Sequence, residues 1–285
     1  MHDSNSGVLY VVATPIGNLG DMVPRAIEVL QMVDVIAAED TRHSGKLLQH
    51  FGISTKLIAY HDYSNEQRLQ KIIDTLLSGQ SVALISDAGT PLISDPGYEL
   101  VHIAREQGVQ VVPIPGACAL IAALSVSGLP SNQFIFEGFL PAKSVSRRKV
   151  LTELLSEHRT VVYYESPHRI VDSLKDFQLV LGDDRDIVLA REITKTYETV
   201  LSGSVVTVLN QVLGDTNQQR GEFVVLVKGC EQQHDATLVT AEAEKLMRVL
   251  LEHVPIKTAA AIAAKVTGVQ KRELYQWALG LKSTD

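Results

Sequence analysis

Short apolar runs alternate with helical spacing from the start of the chain. Val8–Ala13 (VLYVVA) predicts a buried strand and Pro24–Met32 a helix. Val35–Ala38, Lys56–Tyr60, Ser81–Ser86 and Val109–Pro113 predict further strands, separated by helical patterns at Arg42–Phe51, Asn65–Leu77 and Gly97–Gln107. Strands that lack polar alternation and are joined through helices predict a parallel sheet covered on both faces. A composition shift at Gly128-Leu129-Pro130-Ser131 marks a boundary near 120–132. Beyond it, Phe134–Glu137 and Thr160–Tyr164 predict strands around a polar helix, and Ile187–Arg191 and Glu222–Lys228 predict two more.

After Gly229 the pattern changes. A polar linker, Glu231-Gln232-Gln233-His234-Asp235, leads to Ala243, Leu246, Met247, Leu250, Leu251 and Val254, which share one helical face. Lys257–Leu279 predicts two helices around a Thr267-Gly268-Val269 turn. This segment reads either as a nucleic-acid-binding helix-turn-helix or as a helical cap on the body. The expected organisation is two α/β domains, 1–125 and 126–232, with a helical tail at 238–285.

Composition narrows the class. Hydrophobic residues make up 45% and charged residues 21% of 285 positions, which excludes a disordered chain, a collagen repeat and a coiled coil. Val109–Leu129 approaches bilayer-spanning length, but Pro113, Pro115 and Gly116 interrupt it where a strand-to-helix turn needs them. The polar N-terminus lacks a signal-peptide profile, and two cysteines, Cys118 and Cys230, suit a reducing cytoplasm rather than a disulfide scaffold. Net charge is −7, so any contact with nucleic acid must come from a local patch.

In an open α/β sheet, ligands bind beyond the carboxyl ends of the strands. The predicted strands are followed by Thr14-Pro15-Ile16-Gly17-Asn18, Glu39-Asp40-Thr41-Arg42, Asp87–Gly97 and Pro115-Gly116-Ala117-Cys118. In the second half, Glu165-Ser166-Pro167-His168-Arg169 and Arg191-Glu192-Ile193-Thr194-Lys195 occupy equivalent places. Glycine and proline bend the main chain and expose its amide and carbonyl groups, which suits a flat polar ligand. One such loop is ordinary turn chemistry; four at one sheet edge indicate a binding crevice. The chain has no G-x-G-x-x-G, phosphate loop, G-x-S-x-G elbow, H-E-x-x-H or Cys/His metal cluster.

Eight stretches, in this order, carry a family resemblance: TPIGNLGD (14–21), AAEDTRHSGKLL (37–48), SDAGTPLISDPGYEL (86–100), PIPGACA (113–119), EGFLPAKS (137–144), YYESPHR (163–169), REITKTYE (191–198) and GEFVVLV (221–227). The chain thereby resembles the tetrapyrrole methylase superfamily of S-adenosylmethionine-dependent methyltransferases and, within it, the ribosomal RNA small subunit methyltransferase I (RsmI) family. The resemblance implies two α/β domains with S-adenosylmethionine in the cleft between them, a homodimer, and 2′-O-methylation of a cytidine ribose in the decoding region of 16S ribosomal RNA. Tetrapyrrole enzymes carry a glycine-rich first loop ending in aspartate, and Gly-Asp-Pro after the fourth strand. Here the sequence reads Thr14–Asn18 and Gly89-Thr90-Pro91, which argues against a porphyrin or corrin substrate.

Pro15, Gly17, Asp87, Gly89, Thr90, Ile93, Gly116, Cys118, Ala119, Glu165 and Ile193 are the expected cofactor residues, and Asp87 and Asp95 read as holding loop backbone or the cofactor's polar groups. A ribose hydroxyl becomes a good nucleophile once its proton leaves, so Glu165, His168, Glu192 and Lys195 are the catalytic candidates, Lys195 alternatively by stabilising alkoxide. Glu165 reads equally as a helix cap. Lys143, Arg147, Arg148 and Lys149 form a basic run free of acids, and with Arg42 and Arg169 they are the expected phosphate contacts. No metal is expected. Two other readings remain: a tetrapyrrole methyltransferase and a non-catalytic ribosome-assembly factor.

Overall fold

The computed structural model describes residues 7–60, 66–230 and 241–282, divided between two compact units that separate after Cys230. The polar N-terminus, Asn65 and the linker at 231–235 lie outside the described residues.

The first sheet is built from β1 (Val8–Val12), β2 (Val35–Ala38), β3 (Lys56–Ala59), β4 (Val82–Ile85) and β5 (Gln110–Ile114). All pairings are parallel, in the order β3-β2-β4-β1-β5. Helices α1 (Pro24–Met32) and α2 (Thr41–His50) cover one face, burying Ala26, Leu30 and Leu48 against Val12, Ile36 and Ile85. Helices α3 (Glu66–Leu77) and α4 (Tyr98–Glu106) cover the other, burying Ile73, Leu76 and Leu100 against Leu9, Ala37 and Leu84. The predicted parallel sheet, apolar on both faces, is thus observed. Chain polarity reverses its side between the neighbours β1 and β4: the connection leaves β1 over one face and β4 over the other. That is the switch point at which such sheets open a crevice.

The second sheet contains β6 (Phe134–Phe139), β7 (Thr160–Glu165), β8 (Asp186–Arg191), β9 (Thr199–Ser204) and β10 (Phe223–Val227), in the order β6-β7-β10-β8-β9. Only β6 and β7 run parallel; β10 is antiparallel to β7 and β8, and β9 to β8. Alternate residues of these strands face opposite ways. Val161, Tyr163, Leu189 and Val225 meet α6 (Ser144–Glu153), α7 (Ile170–Leu181) and α8 (Val205–Gly214). Val162, Val188, Ala190 and Val224 meet α5 (Ala119–Val126), the small-residue helix that leaves the first sheet. The elements β9 and α8 are additions to the sequence pattern, while α7 is the helix that Glu165 was read as capping. β9 (TVLSGS) is an edge strand with no buried residue, which leaves it without an apolar signature.

The second unit contains α9 (Ala241–Leu251), α10 (Ile256–Thr267) and α11 (Lys271–Lys282) around Met247, Ala259, Ala263, Leu274 and Ala278. Gly268 ends α10 in the left-handed conformation, φ 74°, as the predicted turn requires.

One polar cluster joins α6 to α7. Asp176, in the middle of α7, accepts Arg147 Nε at 2.8 Å, Arg148 Nε at 2.6 Å and Ser144 Oγ at 2.9 Å. Arg147 is 2% exposed, and its remaining donors reach the carbonyls of Pro141 and Ala142. This corrects the expectation for Arg147. Its guanidinium is enclosed by protein acceptors and does not face RNA. Burial opposes the charge on Asp176, but hydrogen bonds from Arg148, Ser144 and Arg147 hold its carboxyl below the usual carboxylate range.

Arg147→Ala leaves Asp176 buried with fewer donors. We expect it to lower unfolding free energy by about 3–5 kcal/mol in urea titration. Because the native carboxyl is depressed, the stabilisation is present above the ordinary carboxylate pKa, about 3.9. It is lost as pH falls through the lowered native value, so the gap between wild type and variant should narrow in strong acid.

Candidate active site

The loops beyond β1 and β4 are tied together by main chain. Thr14 N donates to Gly89 O at 2.8 Å, and Gly89 N returns a bond to Thr14 O at 3.0 Å. Thr14 Oγ1 also donates to Ser86 O, and Thr90 Oγ1 donates to Ala117 O at 2.9 Å, which draws in the loop after β5. Gly89 has φ 85°, and a Cβ there would stand 3.2 Å from Ile16 Cγ2. At Gly116 a Cβ would approach the Cβ of Ala13 to 2.9 Å. Asp87 accepts Asp40 N–H at 3.0 Å and so anchors the loop after β2.

Beside this knot lies a cavity of about 290 Å³ between the two sheets. Among the expected cofactor residues, Gly89, Ile93, Ala119, Glu165 and Ile193 line it. Pro15, Gly17, Asp87, Thr90, Gly116 and Cys118 lie in the adjoining loops and are not among the residues lining it. Asp95, read from the sequence as holding loop backbone or the cofactor's polar groups, also lines it, as do Ser94, Phe139, Tyr164 and Glu222, which sequence reasoning did not single out. Tyr164 bridges the sheets, since its hydroxyl accepts Leu120 N–H at 3.2 Å at the start of α5. Burial, with Cys118 alongside, pushes this phenol well above the usual range, so it stays neutral.

The strained backbone gathers at this cavity. Among the described residues the non-glycine positions with positive φ are Leu92, Ser94, Glu192 and Thr194. They flank Ile93 on one loop and Ile193 on the other, so each isoleucine enters the wall between two left-handed neighbours. Such conformations cost about 1–3 kcal/mol each and persist only where the surroundings enforce them.

Asp95 is one of three carboxyl residues in the wall, with Glu165 and Glu222. Burial raises its carboxyl to about 6, Glu39 and Asp87 add to the rise, and a hydrogen bond with Ser86 opposes it. Lys195 donates to Glu192 Oε1 at 2.9 Å and to Glu222 Oε2 at 2.8 Å. Burial opposes its charge, yet these carboxylates hold the ammonium above the ordinary lysine value. Burial likewise opposes the charge on Glu192, while Lys195 and the Glu222 N–H hold its carboxyl below the usual range. The Lys195 stem passes over Gly17, whose missing side chain makes room for it.

The other candidates have structural partners. Glu165 is 2% exposed and accepts Ser166 N–H at 2.7 Å, Arg169 Nη2 at 2.7 Å and Ser173 Oγ at 2.5 Å. It is not the helix cap the sequence allowed: the N-cap of α7 is Arg169, with no side-chain cap, and Glu165 instead ties the preceding turn to the first turn of the helix through the side chains of Arg169 and Ser173. Arg169 is thereby committed to Glu165, and Arg42 chelates its neighbour Asp40 at 3.2 Å. His168 is exposed on the turn before α7. Lys143, Arg148 and Lys149 lie exposed at the start and along one side of α6, Arg148 reaching back to Asp176.

S-adenosylmethionine fits these residues. Main chain is pressed close at Gly89, Ile93 and Ile193 offer apolar surface to a purine, and Asp95 offers a carboxylate to hydroxyl or cationic groups. Thr194 Oγ1, next to Ile193, is buried without a hydrogen-bond partner in the protein. No group of three or more His, Cys, Asp or Glu suited to a metal occurs among the described residues.

Comparison with known proteins places this architecture. The family of tetrapyrrole (corrin/porphyrin) methylases matches residues 8–208, and the RsmI C-terminal HTH domain matches 237–282. Solved structures with the same fold include a uroporphyrin-III-C-methyltransferase from Thermus thermophilus, TM-score 0.53 at 20% identity, covering 78% of this chain and 94% of that one. A cobalt precorrin-4 methyltransferase gives TM-score 0.58 at 18% identity, covering 78% and 94%. Proteins named ribosomal RNA small subunit methyltransferase I are far more similar. Identity is 52% for that of Escherichia coli O157:H7, covering 97% of this chain and 96% of the relative. It is 54% for that of Pseudomonas aeruginosa, covering 96% and 98%. Similarity at this level over nearly the whole chain, together with the match of both family models, means that the chain belongs to the ribosomal RNA small subunit methyltransferase I family, on the tetrapyrrole methylase fold.

Proposed function

We propose that this chain transfers a methyl group from S-adenosylmethionine to 16S ribosomal RNA, at the ribose 2′-hydroxyl of a cytidine in the decoding region. The observation that carries the reading is end-to-end similarity to relatives of that name, with a cavity at the switch point between two lobes. The reading includes a cytoplasmic homodimer. No helix among the described residues is long and apolar enough to cross a membrane.

When bound, S-adenosylmethionine would supply a sulfonium-borne methyl group to in-line attack by a hydroxyl oxygen, its sulfur leaving as a neutral thioether and the hydroxyl proton passing to solvent water. Gly89, Ile93, Ala119 and Ile193 would hold it, with Thr194 Oγ1 available as a donor. Alignment of nucleophile and electrophile can provide about 7–11 kcal/mol of barrier reduction. Lys195 stays protonated, so its part is electrostatic. It stabilises negative charge developing on the ribose oxygen, while Glu192 and Glu222 fix its ammonium. Glu192 is depressed and ion-paired, which makes it a weak proton acceptor. Glu165 is saturated by its own donors. Phosphate contacts fall to Lys143 and Lys149, with Arg148 beside them.

Labelled S-adenosylmethionine incubated with small subunits lacking the modification, and with naked 16S RNA, tests the reaction; failure to label either form would refute it. Lys195→Ala should lower kcat by about 10²–10³-fold, as loss of one charge-stabilising donor does, with cofactor affinity nearly unchanged. Lys143→Glu with Lys149→Glu should weaken RNA binding and flatten the salt dependence by about 1 in log–log slope for each lost contact; an unaltered slope would remove these lysines from the interface. A cation favours ionised Asp95. Affinity for S-adenosylmethionine relative to its uncharged-sulfur product should therefore rise between pH 5 and 7, with a midpoint near the carboxyl's value of about 6. Asp95→Asn should remove this pH dependence in calorimetry.

A further inference from the structure

Phe139 is an exposed aromatic ring set into the cavity wall. It lines the cavity, yet remains 54% exposed. Its orientation follows from one extra residue in β6. Phe136 pairs with Val162 of β7 and Phe139 with Tyr164, so three steps along β6 match two along β7. In a regular strand, positions three apart face opposite sides. The bulge, made at Gly138 with φ 66°, brings Phe139 to the same side as Phe136. Both rings then meet Tyr164 edge to face, at centroid distances of 4.9 Å and 5.6 Å. Tyr164 thus braces Phe139 while leaving much of that ring open. The chain runs from Phe139 through Leu140, Pro141 and Ala142 directly to exposed Lys143 at the start of α6.

We infer that Phe139 is the platform on which the base of the target nucleotide stacks, holding its ribose at the cavity mouth. This rests on the proposed RNA reaction and names the residue that orients its substrate. Drawing a single nucleotide's ribose into a cavity disturbs the stacking of its base, and a replacement π-face recovers part of that cost. A braced ring at the wall provides such a face, and the nearby lysines meet the flanking phosphates. Phe139 therefore acts on the substrate's position and takes no part in proton transfer.

Phe139→Ala, Phe139→Trp and a control, Tyr98→Ala, test this. Tyr98 is 66% exposed on α4, stacked on His102 and outside the cavity lining. Phe139→Ala should reduce kcat/KM for small subunits by about 5- to 150-fold, the range for losing one base–aromatic stack. Cofactor affinity by calorimetry should stay within about twofold, well below that range. Phe139→Trp should restore most of the loss, and Tyr98→Ala should match wild type. A second readout needs no turnover: a short RNA with a fluorescent cytidine analogue should change emission on wild type and on Phe139→Trp but not on Phe139→Ala. Equal loss of cofactor affinity in Phe139→Ala would make the ring a cofactor wall and overturn the inference, as would unchanged kcat/KM. If wild type transfers no methyl while the Phe139-dependent emission persists, the reaction fails and the stacking site stands. If neither signal appears, both fail.

Discussion

The reciprocal main-chain bonds between Thr14 and Gly89 hold the architecture of the site in place. They join two adjacent parallel strands at the point where their connections part to opposite faces. Without that tie the loops after β1 and β4 would have no shared edge, and the loop after β5, held by Thr90 Oγ1, would have nothing to close against. Small residues are required because main chain itself packs against main chain. The crevice consequently combines close-packed main chain with a largely apolar lining and a few polar side chains.

Charge is distributed with a clear division of labour. Arg147, Arg169 and Arg191 each satisfy internal acceptors: Asp176, Glu165 and the carbonyls of Arg220 and Tyr197 respectively. Glu165 serves the start of α7. These groups stabilise helices and loops, and a buried pair of this type is costly to break even when its net contribution is small. Two ionisable residues stand apart from that scaffold. Asp95 is held near neutrality at the cavity wall, and Lys195 is kept charged by two carboxylates. Their opposed electrostatics suit a site that handles a cation on one side and a developing anion on the other.

The alternation of apolar runs and helices was sufficient to read the first sheet, because its strands are buried on both faces and leave unbroken hydrophobic signatures. The loops of the site were readable for a related reason: glycine and proline at strand ends are conspicuous, and Gly89, Ile93, Ala119 and Ile193 follow from them. Side-chain allegiance was not readable. Arg147 and Arg148 are neighbours in sequence, but helix geometry turns one inward onto Asp176 and leaves the other half in solvent. That partner lies 29 residues away on α7, beyond any local pattern. Asp95 was readable as a polar loop residue, but the carboxylate cluster around it was not, and Phe139 was missed because its significance comes from a strand irregularity.

The contact between Gly17 and the Lys195 stem has a consequence for how the two lobes can change. A glycine with φ 148° in the first loop leaves a channel that the lysine of the second lobe fills. Any side chain added at position 17 would occupy that channel and lift the ammonium away from Glu192 and Glu222. The two loops, 178 residues apart in the chain, are therefore constrained as one object. A side chain at the first position is accommodated only where the residue at the second is shortened or re-routed.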